Sequence, residues 1–266
     1  MQLTRRYTKQ HGFTLVELLL SMVFGLIVLS GVTYVYVSVI SSSSSTLQNT
    51  KLNSQVATMM AVISADIRRA GYWANATHEE PSDNPFNVDD DTLLVIVNSM
   101  ADSSKILENT DQSGSCVLYS YDRNINGVVD ALGVDNELFG VRLNDGAVEM
   151  RLAGSVSDAD SCTDGTWEVI SDKTLYTVTE LSFNPVNSAC INSSEPNDVD
   201  AVGDGNNVID DDAEFDCYNV TPQTGDITVE TREVLITLAA RLNRDTDVRT
   251  QIAQAVRVRN DVVRIR

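Results

Sequence analysis

The sequence predicts an α+β fold in which one long N-terminal α-helix packs on a mostly antiparallel β globular domain. Three observations carry that expectation. An apolar run from Gly12 to Ile40 continues as a helix-spaced apolar face to about Ala70. Beyond Thr92, short β-branched runs alternate with turn residues, and no second long helical pattern comes after the first. The expected organisation is a short polar leader at 1–12, a long helix at 13–71 with 13–40 crossing a membrane, and an exported β-rich domain at 72–266.

In the 28 residues from Phe13 to Ile40 the only charge is Glu17. A helix of that length reaches about 42 Å at 1.5 Å per residue, against a hydrocarbon core of about 30 Å. An unpaired carboxylate in such a segment costs about 2.5–3.5 kcal/mol, so Glu17 asks for a partner. The leader carries Arg5, Arg6 and Lys9 and no acid, which keeps that end in the cytoplasm and exports the chain beyond Ile40. The apolar run exceeds the roughly 7–15 residues of a removable signal sequence, so the helix is retained. Past Ser45, residues Leu47, Leu52, Val56, Met59, Met60, Ile63 and Ile67 recur mostly at three- and four-residue steps. Met59 and Met60 read as core filler, and Gly71 as the helix stop. No proline interrupts the run.

Thr77 to Asp91 reads as an exposed loop, with Pro81, Pro85 and many Asp and Asn. Strands are expected at Thr92–Val97, Cys116–Tyr121, Leu138–Leu143, Val148–Leu152, Trp167–Ile170, Tyr176–Phe183, Val234–Leu238 and Ile252–Val258. Asn144-Asp145-Gly146 sits between two of them as a hairpin turn. The four cysteines all fall on the exported side and form no C-x-x-C, so two disulfides are expected in an oxidising compartment. Short loops close at less entropic cost, which favours Cys116 with Cys162 and Cys190 with Cys217.

The formal charge is −19, and near −22 once the three cations of the leader are set aside, which argues against a phosphate-binding surface and a nucleic-acid partner. No nucleophile elbow, phosphate loop or zinc-protease motif occurs, and beyond His11 in the leader there is only His78, so no catalytic residue is assigned. Asp122, Asn124, Asn126, Val128 and Asp130 match the first half of a calcium loop, with Gly127 at the sharp turn. Gly133 stands where the bidentate glutamate belongs, and Asp135 or Glu137 are the substitutes. The competing reading is an Asn/Gly turn without metal. A second acidic stretch, Glu195 to Asp216, matches a calcium loop only in part and reads as a solvated loop held by the Cys190–Cys217 bridge.

Gly12-Phe13-Thr14-Leu15-Val16-Glu17 before the apolar run resembles the class III signal of type IV pilins and type II secretion pseudopilins. That resemblance implies cleavage between Gly12 and Phe13 by prepilin peptidase, N-methylation of Phe13, and pairing of Glu17 with the Phe13 amine of a neighbouring subunit during assembly. The stretch Asp66-Ile-Arg-Arg-Ala-Gly-Tyr-Trp73 resembles the end of the long helix in PilW-like minor pilins. Ala255 to Asp261 resembles the final strand of PilW-like and J-type proteins. The resemblance implies a non-enzymatic minor pilin, single-pass in the inner membrane with its domain in the periplasm, then part of a type IV pilus at the cell surface. Its implied partners are prepilin peptidase, other minor pilins and the major pilin, and its implied roles are priming assembly at or near the pilus tip and twitching motility. The alternatives are a J-type tip pseudopilin and a Ca²⁺-dependent adhesin on a pilin anchor. Many major pilins carry a proline in the membrane helix; its absence here removes the basis for a family-like kink.

Overall fold

The computed structural model describes residues 12–87, 92–108, 110–131, 133–155, 160–194, 216–219 and 221–266. The leader up to His11 and nearly all of the Glu195–Asp216 stretch lie outside the described residues. The chain divides into two units, residues 1–51 and Leu52–Arg266.

One helix, α1 (Leu15–Ile67), runs through both units. In the first, its apolar side chains from Leu15 to Ile40 are all exposed, which suits contact with lipid. Three of the hydroxyls among them are satisfied inside the helix: Ser21 donates to the Leu18 carbonyl (2.9 Å), Ser30 to Ile27 (2.8 Å) and Thr33 to Leu29 (2.8 Å). A polar group in hydrocarbon needs such an internal partner. This is the one described helix long and apolar enough to cross a membrane.

In the second unit, Leu52, Val56, Met59, Met60, Ile63 and Ile67 form the buried stripe of α1, so the helix contributes to the core from Leu52 and the two methionines pack inside it. Each such side chain contributes about 1.5–3 kcal/mol on burial.

Of three antiparallel sheets, the first two share a core with that stripe. The first is a five-stranded meander of β1 (Val95–Val97), β2 (Cys116–Ser120), β3 (Leu138–Asn144), β4 (Ala147–Ala153) and β5 (Thr166–Val169). Asp145 (φ 45°) and Gly146 (φ 67°) make the β3–β4 turn, with both central residues at positive φ as a tight hairpin of this hand requires. The second sheet is ordered β10 (Arg249–Arg257), β9 (Glu233–Leu242), β6 (Tyr176–Asn184). On β9 every second residue from Val234 to Leu242 is buried. The third sheet is ordered β11 (Val262–Ile265), β8 (Ile227–Thr231), β7 (Ala189–Asn192).

All five residues of β2 are buried because both faces are covered. Val117 and Tyr119 join the helix core, while Cys116 and Leu118 join a second cluster with Val95, Val97 and Cys162, backed by Trp167. The bridges are Cys116–Cys162 and Cys190–Cys217, with Cα separations of 6.4 and 5.2 Å. The pairing in sequence order therefore holds.

Two expectations need correction. Thr77–Asp91 is not simply an exposed loop: within it Phe86 is fully buried and Asn84 and Asn87 nearly so, because Asn84 donates its side-chain amide to the Gly71 carbonyl (2.9 Å). Residues Ala255 to Asp261 are not the last strand, since β10 ends at Arg257 and β11 begins at Val262. The third sheet has no counterpart among the strands expected from sequence. Its strands are four or five residues long and mix polar with apolar positions, so local pattern gives them little signal.

Candidate functional site

Two places carry the residues singled out by sequence. The first is the start of α1. Thr14 caps the helix: its carbonyl accepts from the Leu18 amide (3.2 Å) and its Oγ1 from the Glu17 amide (3.3 Å). Glu17 is thus the third helical residue of a Thr-x-x-Glu start, where a carboxylate gains from the helix dipole. Gly12 and Phe13 precede the cap without helical structure, and Phe13 is 85% exposed. The Gly12–Phe13 peptide bond therefore lies outside the hydrogen bonds of the helix.

The second is the end of α1, where three remote sequence segments meet. Asp66, buried in the last turn, accepts from the Tyr119 hydroxyl (2.6 Å) and the Tyr121 hydroxyl (3.0 Å), and pairs with Arg69, whose guanidinium lies over the Tyr121 ring at 4.6 Å. Burial, then the nearby Asp66 charge, pushes both phenols well above their usual range, so they stay neutral and serve as donors. Gly71, at φ +72°, donates to the Ser120 carbonyl (2.8 Å), so the helix stops against β2. The chain after β10 closes the end from the other side: the Arg259 amide reaches the Arg68 carbonyl (3.1 Å) and Asn260 Nδ2 reaches the Ala70 carbonyl (2.9 Å).

The loop 122–130 docks on the same junction. The Asp122 amide donates to the Tyr72 carbonyl (2.9 Å), and Trp73 Nε1 donates to the Gly127 carbonyl (3.0 Å). Asp122 is buried; its Oδ1 accepts from Asn126 (3.1 Å) and its Oδ2 from Ala74 (3.1 Å) and Gly127 (3.0 Å). Asn124 Oδ1 accepts from the Asn126 amide (3.0 Å), Asn126 Oδ1 from Val128 (2.9 Å), and both side-chain amides donate to Asp130 Oδ2 at 2.8 Å. Glu137, fully buried, takes the amides of Arg123 (2.6 Å) and Asn124 (3.2 Å) on one oxygen and that of Asp130 (3.1 Å) on the other. Asp135 is exposed in the turn Gly133–Asp135 and supplies none of these bonds.

Asp122, Asn124, Asn126 and Asp130 are thus joined by hydrogen bonds within the loop, while Glu137, and not Asp135, ties down its backbone amides. Among the described residues no three of His, Cys, Asp and Glu group as a metal site, so a cation here would draw on Asp122, Asp130, the Asn124 and Asn126 amide oxygens and the Val128 carbonyl. The two amides would have to present oxygen where they now present nitrogen to Asp130, the exchange that an amide flip provides. The sequence did not disclose the structural work of Asp66, Tyr119, Tyr121 and Asn260. The one local hint was two tyrosines at alternate positions, which share a strand face.

A family profile described as prepilin peptidase-dependent protein B matches residues 45–258, and one described as the prokaryotic N-terminal methylation motif matches residues 7–33. No curated protein and no solved structure matches the chain.

Proposed function

Since the chain belongs to the prepilin peptidase-dependent protein B family and carries the N-terminal methylation motif, we propose that it is a minor pilin. In this reading prepilin peptidase cuts between Gly12 and Phe13, the Phe13 amine is methylated, and the helix holds the protein in the inner membrane with its domain in the periplasm. It then enters a type IV pilus with the major pilin and other minor pilins, priming assembly at or near the tip. The role is structural. The observation that carries it is the start of α1: an uncoiled Gly12-Phe13 junction, a Thr14 cap, Glu17 in the first turn and an unshielded apolar helix behind.

In assembly, the Glu17 carboxylate would meet the Phe13 amine of a neighbouring subunit, since two opposite charges in low dielectric attract strongly while each alone is costly. Intact mass and N-terminal sequencing of protein from the native membrane test the processing step: methylated Phe13 is the expected terminus, and one near Ser41 would sink the reading. Deleting the gene separates pilin from J-type pseudopilin, through loss of pili in the first case and of secretion in the second. The 122–130 loop adds a calcium reading, supported by the approach of the Asn124 and Asn126 side chains to the Asp130 carboxylate, which a flip of both amides would turn into oxygen donors.

A further inference from the structure

Among the described residues, β10 is the one long sheet edge left open. The other outer strands β1, β5, β7 and β11 are three or four residues long, and the far side of β6 is tied to Gly114 through Phe183 (2.8 and 3.0 Å) and to the Gly146 carbonyl through the Val178 amide (2.8 Å). β10 pairs with β9 over nine consecutive positions without a bulge. Among the described residues, no backbone bond joins 249–257 to anything but β9. Natural sheets blunt such edges with proline, charged side chains, a bulge or a short strand; of these β10 has only the arginines at its two ends.

Its side chains are arranged for a neighbour. Gln251, Ala253 and Ala255 are exposed between Arg249 and Arg257, which mark the two ends of that face about 27 Å apart at 3.4 Å per residue. On the opposite face Ile252 is half-buried against the core, so an apolar side chain on an added strand would finish covering it. Charge says what kind of strand. Residues 249–257 hold two arginines and no acid, a net of +2 in a chain of −19, which leaves −21 for the rest. The Arg257–Asp261 contact, at 3.5 Å and exposed, is a surface pair of little worth and leaves the edge basic.

We infer that the β10 edge accepts an extended strand of an acidic partner protein, added antiparallel or parallel to β10, with carboxylates opposite Arg249 and Arg257 and small or β-branched residues over Ala253 and Ala255. The ladder gives affinity and the terminal arginines give selectivity. The inference stands apart from whether the chain enters a filament.

The test uses full-length protein in detergent and fluorescein-labelled nonapeptides of alternating Thr and Val, ended by glutamate or by lysine, read by fluorescence anisotropy. The glutamate-ended peptide should bind at least tenfold more tightly, and R249E/R257E should reverse the preference. Two further versions of that peptide carry N-methyl groups on one or the other set of alternate amides. Only the set facing β10 should lose binding, tenfold or more, a readout that requires no change to the protein. Equal effects of the two sets, or no binding of either charge type, overturn strand addition. Disulfide cross-linking of Ala253→Cys between copies in the absence of peptide would mean that a second copy occupies the edge, overturning the acidic partner.

Discussion

Asn260 donates its side-chain amide to the carbonyl of Ala70, 190 residues earlier in the chain, at 2.9 Å. Ala70 lies in the turn that follows α1, where a carbonyl has no partner inside the helix. Here the residue just past β10 supplies one, so helix and C-terminal segment hold each other.

Replacing Asn260 with Ala removes that donor from a partly buried carbonyl and should destabilise the domain by about 1–3 kcal/mol, the cost of an unsatisfied polar group. Urea unfolding of the purified protein measures it. An unchanged midpoint would mean that water replaces the amide without loss.

Tyr119 and Tyr121 have their phenol pKa values raised by burial and then by the Asp66 charge. A raised folded-state value means stability is complete below the unfolded value of about 10 and is lost as pH climbs above it, because only the unfolded chain ionises easily there. Stability should therefore fall progressively as pH rises above about 10. Tyr119→Phe should lower stability at pH 8 by about 1–3 kcal/mol through the lost bond to Asp66 and should flatten the alkaline decline. Equal slopes in the two proteins would count against this account.

Glu17→Ala and a bulky substitution at Gly12 should separate two steps. The Gly12 variant should accumulate uncut, while Glu17→Ala should be cut and stay in the membrane yet fail to support normal piliation. Immunoblots and pilus counts by electron microscopy read both. Wild-type piliation in the Glu17 variant would remove that carboxylate from assembly.

Calcium should raise the melting temperature of the detergent-solubilised protein if the 122–130 loop binds it. Without a glutamate at the twelfth position, affinity should fall near the 10⁻⁴–10⁻³ M of extracellular modules, and a hundredfold excess over Kd gives about 2.7 kcal/mol. Asp130→Ala should abolish the rise. A melting curve insensitive to several millimolar calcium leaves the loop a hydrogen-bonded turn.

Local pattern reached the features that depend on near neighbours. Thr14 and Glu17 start the helix, the stripe from Leu52 to Ile67 keeps a 3.6-residue period, Asp145-Gly146 turns a hairpin, and β9 alternates along its length. Each of these is legible because its cause lies within a few residues.

By itself the sequence determined the class of fold and the membrane-length helix, and it favoured the cysteine pairing that closes short loops. Only the tertiary structure decided that Asp66 meets Tyr119 and Tyr121, that Asn260 closes the helix end, that Glu137 and not Asp135 fills the 122–130 loop, and that β7, β8 and β11 form a sheet. The physical reason is common to all four. A buried carboxylate, a helix carbonyl and a short mixed-polarity strand are each unfavourable alone, and which distant group satisfies them depends on how the chain folds back.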